Sequence, residues 1–154
     1  TCLGLSTNSY GRTCFAKKNF KTEETVVIGI GKIIDHQTPR VSIQIDVDRH
    51  FRPTKWTGRY WNHSCNPNTY IKTRSDGFPN LVALRKIRQG DEITYAYFMT
   101  EYSWSRYAEE KDIVCKCRDK KCKGKILSFS QLSKREQRKL VKDKRCSLYL
   151  KKLV

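Results

Sequence analysis

Apolar residues in the first two thirds of the chain form short runs rich in β-branched and aromatic side chains. Polar turn residues separate these runs, most clearly at 75–77 (Ser-Asp-Gly) and 89–91 (Gln-Gly-Asp). This pattern is typical of short β-strands joined by tight turns. The strands that it predicts lie at 25–30, 41–47, 68–73, 80–85 and 92–97. We therefore expect a mainly β fold.

One helix is predicted with clear signals, and it lies late in the chain. Ser133 and Glu136 have the spacing of a capping box, in which each side chain accepts a hydrogen bond from the backbone N–H of the other residue. Residues 134–146 are rich in helix formers, but the apolar positions Leu140 and Val141 are too few to define a buried face. The helix could pack on the domain or project from it as a basic arm.

The length of 154 residues fits one domain whose core needs no disulfide bonds. An initial Thr1 instead of Met is compatible with a piece of a longer protein. The seven cysteines are an odd number, which together with their crowding favours an intracellular, reducing compartment. No apolar run approaches the roughly 18 residues of a membrane span, and no signal-peptide pattern opens the chain. No membrane partner is therefore expected.

Basic residues outnumber acidic residues by 32 to 15, which gives a formal net charge of +17. The excess is concentrated at the end, since 116–154 holds 15 Lys and Arg against three acidic residues, 15 − 3 = +12. A field of this sign attracts phosphate backbones and repels basic peptides. Contact with nucleic acid or chromatin through this basic C-terminal region is one hypothesis, and simple solubility is the other.

Three cysteines are crowded into the pattern Cys115-x-Cys117-x4-Cys122, and Cys65 lies upstream of them. Zinc is commonly held by four thiolates in a tetrahedron, and such spacing suits metal better than pairwise bridging. A zinc ion on these four residues would fasten the end of the chain to its middle. The remaining thiols are expected to be small buried side chains: Cys2, Cys14 and Cys146.

Two further segments carry a resemblance to a known family. Residues 62–68 read Asn-His-Ser-Cys-Asn-Pro-Asn, and residues 90–97 read Gly-Asp-Glu-Ile-Thr-Tyr-Ala-Tyr. They resemble the two signature segments of SET-domain protein-lysine methyltransferases, and 115–122 resembles the family's post-SET zinc module. The fold that this resemblance implies is β-clip-like, with several small sheets and one segment threaded through a loop as a pseudoknot.

The resemblance also implies a division of the chain. A SET domain would cover 1–98, with a variable insert at about 35–55, and would be followed by a zinc module at 113–127 and a basic, helical tail at 128–154. Asp46 and Asp48 in the insert could contact a basic peptide or cap the end of a strand.

The implied activity is methyl transfer from S-adenosylmethionine to a lysine. The lysine must first lose its proton, and an apolar channel favours the neutral amine. Tyr97 matches the family's catalytic tyrosine, and a buried strand residue is the alternative. Tyr95 matches the position that controls the number of methyl groups, where Tyr implies mainly mono-methylation. Ala96 stands where the family often has Asp, which implies altered hydrogen bonding beside the channel.

The positions that match the family's cofactor contacts are Tyr10, Gly11, Arg12, Arg59, Tyr60, Asn62, His63 and Ile126. Thr13 stands where a second glycine is usual, so a different loop path is expected. Arg59 would lie near the cofactor carboxylate, or would be a solvated surface residue. Without the flanking matches, 62–67 would also fit a turn with internal hydrogen bonds.

Two classes of function stay open from the sequence. The first is a protein-lysine methyltransferase, nuclear if the source is a eukaryote, that acts on a histone or another nucleic-acid-associated protein. The second is a catalytically silent SET-like zinc module that binds nucleic acid or a protein partner. Binding of the cofactor separates the two, because a silent module does not need it. No function is assigned to His36 or His50.

Overall fold

The computed structural model describes residues 3–8, 11–36, 41–55, 58–104 and 113–154. Ten strands occur in these ranges: β1 Leu3–Asn8, β2 Gly11–Ala16, β3 Thr25–Ile28, β4 Gly31–Ile34, β5 Ile43–Asp46, β6 Arg49–Pro53, β7 Asn62–His63, β8 Thr69–Thr73, β9 Pro79–Ala83 and β10 Thr94–Tyr95. The helix α1 covers Lys134–Lys142, and 3-10 helices cover Tyr97–Met99, Phe129–Gln131 and Leu148–Leu153. The expectation of a mainly β fold with a C-terminal helix is confirmed.

The strands form four small sheets. β1 and β2 are an antiparallel pair, β3-β9-β8 and β4-β6-β5 are antiparallel sheets of three, and β7 pairs with β10 in parallel. All five predicted strands overlap an observed strand. The sequence pattern missed the other five strands, β1, β2, β4, β6 and β7. Hydrogen bonding to a neighbouring strand, which a pattern along one segment does not report, makes these five segments strands.

Large apolar side chains from the sheets and from the C-terminal segment share one core. Ile71, Leu81 and Phe51 come from strands, whereas Phe129 and Leu150 come from the last part of the chain, and all five are completely buried. Burial of each such side chain contributes about 1.5–3 kcal/mol. The end of the chain therefore helps to stabilise the sheets.

The parallel pair brings two distant segments side by side, with Asn62 opposite Thr94 and His63 opposite Tyr95. Two strand residues on each side are too few to hold this pair by themselves. The buried amide of Asn68 supports it, since Nδ2 donates to Glu92 O at 2.8 Å and Oδ1 accepts from Thr94 N at 3.0 Å. An asparagine side chain thus supplies hydrogen bonds that a longer strand would supply.

The helix α1 begins as predicted but ends earlier. Both hydrogen bonds of the capping box between Ser133 and Glu136 are present. The predicted end at residue 146 is wrong, because Lys144 has a φ of +54°. The backbone N–H groups of Lys144 and Arg145 bond back to Val141 O and Leu140 O, at 3.1 and 3.0 Å. These bonds form a Schellman motif, which usually needs glycine and therefore left no signal in this sequence.

The C-terminal segment packs on the domain. Gln137 of α1 is buried, and its Nε2 donates to Phe129 O and Leu132 O, both at 3.0 Å. Tyr149 is also buried, and its hydroxyl donates to Thr100 O at 2.6 Å. The alternative of a projecting arm is therefore excluded. Among the helices in the described ranges, none combines the length and the apolar character of a membrane span.

Candidate active site and metal centre

Five rings meet where β7 and β10 run side by side. The ring centroid of Tyr97 lies 5.1 Å from that of Tyr95, 5.2 Å from that of His63 and 6.4 Å from that of Trp104. Trp61 packs edge-on against Tyr95 at 6.4 Å. We call these five side chains the aromatic cluster. The other four rings surround the phenol of Tyr97.

The hydroxyl of Tyr97 is held in one place and stays protonated. It donates to the carbonyl oxygen of Trp61 at 3.4 Å. Burial raises the pKa of Tyr97 to about 12, and the nearby carboxyl of Glu101 adds to the effect. At neutral pH the phenol is therefore uncharged, and it suits positioning of a reactant better than removal of a proton.

The imidazole of His63 joins the aromatic cluster to a cysteine. Its Nδ1 accepts from the backbone N–H of Tyr97 at 3.2 Å, so the proton of the neutral ring lies on Nε2. Nε2 lies 3.5 Å from Sγ of Cys65 and donates to it. Burial lowers the pKa of His63 to about 4, so the ring is neutral at physiological pH.

The four predicted metal ligands come together. The Sγ atoms of Cys65, Cys115, Cys117 and Cys122 all lie within 4.8 Å of one another, and those of Cys65 and Cys115 are 3.7 Å apart. A tetrahedral zinc ion with Zn–S bonds of about 2.3 Å places its sulfurs about 3.8 Å apart. The thiol cluster, as we call these four residues, therefore has the chemistry and the spacing to hold a zinc ion.

Backbone turns shape the loop that carries three of these thiols. Gly124 has a φ of +74°, and its carbonyl oxygen accepts from Cys115 N at 2.9 Å. The amide of Asn66 donates to the carboxylate of Asp119 at 3.1 Å, which ties this loop to the segment that contains Cys65.

The same loop reaches the aromatic cluster. Ile126 N donates to Ile113 O at 2.8 Å, and the indole N–H of Trp104 donates to Ile126 O at 3.0 Å. Because Trp104 also contacts Tyr97, the loop that follows the thiol cluster forms part of the surroundings of the phenol. Ile126, a predicted cofactor contact, is therefore in place beside the cluster.

A second group of predicted residues forms a polar cluster around Glu92. Asn62 Nδ2 donates to Glu92 Oε1 and to Arg12 O, both at 3.0 Å. The hydroxyl of Thr13 also bonds to Glu92 Oε1, which accounts for a buried threonine at a position where the family has glycine. Arg12 donates to the hydroxyl of Tyr60 at 2.9 Å.

The other predicted cofactor contacts do not belong to the polar cluster around Glu92. Gly11 is exposed, has a φ of +122°, and has open space where a side chain would begin. Arg59 is exposed and donates from Nε to Pro53 O at 3.4 Å. Tyr10 lies outside the described residues. Of the remaining thiols, Cys14 and Cys146 are buried as expected, and Cys2 also lies outside the described residues.

A cavity of about 300 Å³ opens between the β7–β10 pair and the thiol loop. Its lining is mostly polar and includes His63, Asn68, Glu92, Thr94, Cys117 and Asp119. The cavity therefore lies between the residues of the two signature segments and the metal centre.

Three residues that the sequence did not single out belong to the site. Glu92 organises the polar cluster, and its place inside the signature segment 90–97 was a signal that could have identified it. Thr100 and Glu101 lie buried behind Tyr95 and Tyr97. No spacing rule in the sequence points to these last two.

Comparison with known sequences supports this assignment of the fold. The model of the family described as SET domain matches residues 11–98, which is more than half of the chain. The chain is similar to the histone-lysine N-methyltransferase trithorax of Drosophila virilis, with 38% identity over 68 residues, 42% of this chain and 2% of that protein. It is also similar to the histone-lysine N-methyltransferase ash1 of Drosophila melanogaster, with 34% identity over 76 residues, 47% of this chain and 3% of that protein.

The chain thus spans only a few per cent of the length of these two relatives. A solved structure of KRYPTONITE in complex with mCHG DNA and SAH shares the fold, with a TM-score of 0.61 and 18% identity over 79% of this chain and 28% of that one. With this fold, the two signature segments and a family match from residue 11 to residue 98, the chain belongs to the SET domain family.

Proposed function

We propose that the protein is an S-adenosylmethionine-dependent protein-lysine N-methyltransferase. The observation that carries the proposal is the position of Tyr97, whose neutral phenol lies among apolar rings and beside the thiol loop. The names of the two relatives described above, both histone-lysine N-methyltransferases, agree with it. Because the relatives are named for histones, we propose a histone as the substrate. We also expect the protein to lie in the nucleus of a eukaryotic cell.

For this reaction the protein mainly has to align two reactants and exclude water. S-adenosylmethionine supplies a reactive methyl group when it is bound. The hydroxyl of Tyr97 would orient the amine nitrogen at the point of transfer. Tyr95, Trp61 and Trp104 would form apolar walls, and a lysine ammonium desolvated by such walls loses its proton more readily. Such positioning and fixed dipoles, rather than a catalytic dyad, would carry most of the rate.

The polar cluster and its surroundings fit the cofactor. Gly11 leaves open space at a positive φ, which allows a ligand to approach the backbone closely. Arg12, which follows Gly11, is exposed, and its partner Tyr60 is partly exposed. A guanidinium at this place suits a carboxylate. We therefore assign the cofactor to the surface formed by Gly11, Arg12, Tyr60, Asn62, His63 and Ile126, with Tyr10 and Arg59 as further candidates.

We also propose that zinc on the thiol cluster is structural. Four protein ligands would leave zinc no open position for a substrate, which is typical of structural sites. The metal would hold the loop that brings Ile126 and Leu127 to the aromatic cluster. In this proposal 1–98 is the SET domain and 113–127 is the zinc module.

Product specificity is the next part of the proposal. The hydroxyl of Tyr95 is buried beside Tyr97 and would occupy space that further methyl groups need. We therefore propose mainly mono-methylation. Mass spectrometry of the methylated product measures this directly, and abundant trimethyl-lysine from the wild-type protein would contradict it.

The test of the activity compares two Tyr→Phe variants, with core histones and labelled S-adenosylmethionine as substrates. Tyr97→Phe should keep the fold and cofactor binding and lose turnover by about 10²- to 10⁴-fold, the range for a positioned catalytic group. Tyr70→Phe is the matched control, because its hydroxyl donates to Glu23 at 2.7 Å, away from the aromatic cluster. Near wild-type turnover of Tyr97→Phe would remove Tyr97 from the mechanism.

The alternative function is a silent zinc module that binds nucleic acid or a protein. Calorimetric measurement of S-adenosylmethionine binding distinguishes it from the enzyme. Tight binding of the cofactor and transfer to a lysine support the enzyme. A folded, zinc-loaded protein that binds no cofactor would support the silent module.

We further propose that the basic C-terminal region contacts DNA that carries the substrate. Five cations of α1 are exposed: Lys134, Arg135, Arg138, Lys139 and Lys142. Lys123 of the zinc module lies 3.6 Å from Glu136, so the basic residues of the module and those of the helix adjoin each other. A surface of this charge repels a free basic tail and attracts the phosphates beside it. Acidic Asp46 and Asp48 remain candidates for contact with the peptide itself.

Charge reversal tests this surface with a labelled DNA duplex of mixed sequence. Lys134, Arg138 and Lys142 share one face of α1, and changing all three to Glu should lower the slope of log Kd against log salt by about 2–3. Reversal of Lys17, Lys55 and Arg88, three exposed cations outside this region, is the matched control. Equal loss of binding in both triple variants would show that only net charge matters.

A further inference from the structure

The buried hydroxyl of Tyr95 is part of a chain of hydrogen bonds that leads away from the aromatic cluster. Its oxygen lies 3.5 Å from Oγ1 of Thr100, a residue with no exposed surface. Oγ1 of Thr100 in turn lies 3.2 Å from Oε1 of Glu101 and 3.3 Å from the carbonyl oxygen of Tyr97. One threonine hydroxyl thus has three oxygen neighbours.

The number of protons decides the direction of these bonds. A threonine hydroxyl has one proton to donate and can accept from other donors. The carbonyl of Tyr97 can only accept. Oε1 of Glu101 accepts from the backbone N–H of Gln44 at 3.1 Å, which favours Oε2 as the site of the proton in the neutral carboxyl and keeps Oε1 an acceptor. The arrangement that satisfies these acceptors directs the proton of Thr100 to Glu101 or to Tyr97 O, and the hydroxyl of Tyr95 then donates to Thr100.

A fixed donor direction determines what Tyr95 presents to a substrate. With its proton directed at Thr100, the phenol oxygen has only lone pairs left for the side that faces Tyr97. Lone pairs bind an amine or a water that still has an N–H or O–H to donate. Each methyl group added to the lysine nitrogen removes one such N–H, so this arrangement favours lysines that carry few methyl groups.

We propose that Thr100 and Glu101 are positioning residues that fix the Tyr95 hydroxyl as an acceptor and so restrict the number of methyl groups transferred. This inference rests on the proposed methyltransferase function and deepens it. Neither residue is expected to touch the reacting atoms. They act through Tyr95.

Distant parts of the chain hold both positioning residues in place. The amide oxygen of Gln44 accepts from Tyr102 N at 3.1 Å, which keeps β5 against the segment that contains Glu101. Ser147 donates to Gln44 O at 3.3 Å, and Tyr149 donates to Thr100 O at 2.6 Å. The packed C-terminal segment therefore supports the direction of the Tyr95 hydroxyl, in addition to its part in the core.

The experiment measures mono-, di- and trimethyl-lysine on core histones by mass spectrometry at matched total turnover. Thr100→Val removes the hydroxyl and keeps the shape, and it should raise the ratio of multiply to singly methylated lysine by about three- to tenfold, the factor expected for one lost hydrogen bond. Thr100→Ser should restore the wild-type ratio. Thr100→Ala removes the same hydroxyl and serves if the Val variant does not fold.

The Tyr95→Phe background separates positioning from a general structural effect. Tyr95→Phe should raise the ratio by itself, and adding Thr100→Val should change it no further, because the hydroxyl that Thr100 positions is gone. An unchanged ratio in Thr100→Val, or an equal change with and without Tyr95, overturns this inference and leaves the proposed function intact. Absence of any methyl transfer by the wild-type protein overturns both.

Discussion

Two consecutive segments near the end of the chain are held by different forces. In 113–127, all of which the structure describes, no residue is fully buried, and Val114 is 68% exposed. In 128–154, Phe129 and Leu150 are completely buried. The first segment has a few hydrogen bonds, the ion pair of Lys123 with Glu136 and the partly buried Leu127, whereas the second is held by extensive packing. In our proposal a metal on the thiol cluster replaces the core that the first segment lacks.

Removal of zinc should have the largest effect and should affect only one of the two segments. Structural zinc sites contribute about 10–16 kcal/mol of apparent binding free energy, and nothing else in 113–127 approaches that value. A strong chelator should release about one zinc per chain, abolish methyl transfer, and speed hydrogen exchange in 113–127 with 128–154 still protected. If 113–127 stayed protected from hydrogen exchange in a zinc-free protein, zinc would not be what holds this segment.

Truncation of a packed side chain should destabilise 128–154 and leave the zinc module unchanged. Phe129→Ala should lower the free energy of unfolding by about 3–5 kcal/mol, since the site is fully enclosed and would leave a cavity. The zinc content should not change. Val114→Ala in the zinc module is the control and should stay within about 0.5 kcal/mol of wild type, because that side chain is mostly in solvent. Urea denaturation and zinc analysis measure the two quantities.

The pH dependence of stability should also distinguish the two segments, because the responsible carboxyl, that of Glu101, is buried next to the packed segment 128–154. Burial raises the pKa of Glu101 from 4.5 to about 7. Between these values the folded protein binds more protons than the unfolded chain. The contribution of Glu101 to stability is therefore greatest below about pH 4.5 and is lost as the pH rises through 7.

Urea unfolding of the zinc-loaded protein should therefore show a loss of about 2–3 kcal/mol between pH 5 and pH 8 from this residue alone. Glu101→Gln has no titratable carboxyl and should flatten the profile. A profile that is the same for both proteins would show that Glu101 does not titrate in this range.

The smallest effect concerns the start of α1. Ser133→Ala removes the side chain that accepts from Glu136 N at 3.3 Å, and should cost about 1 kcal/mol. Ser75→Ala, at an exposed turn residue, is the matched control with no expected change. If the two variants were equally stable, the capping box would add nothing to the packing of this segment.

The convergence of the four thiols could be predicted from the sequence because most of its signal is local. Three thiols at short spacing, with Cys65 in a signature segment, indicate the candidate ligand set before any packing is known. The five predicted strands also carry a local signal, since their composition is typical of strands.

The apolar composition of the last residues predicts that Tyr149 and Leu150 pack, and both are buried, but it does not predict what they pack against. Phe129, Tyr149 and Leu150 lie in short 3-10 helices and have no α-helical or strand periodicity. The end of α1 depends on Lys144 at a positive φ, where the sequence offers no glycine. The hydrogen-bond chain behind Tyr95 runs within 95–101, but the backbone of Gln44, which holds Glu101 in place, is far away in sequence, so only the folded structure brings it there.

His63 connects the thiol cluster to the backbone of Tyr97. An imidazole ring is rigid, and its two nitrogens are hydrogen-bonded to the backbone N–H of Tyr97 on one side and to the sulfur of Cys65 on the other. A shift of that sulfur is therefore expected to stretch one of these hydrogen bonds or to move the backbone of Tyr97. Oxidation of the Cys65 thiol would reach the proposed catalytic residue through this one ring.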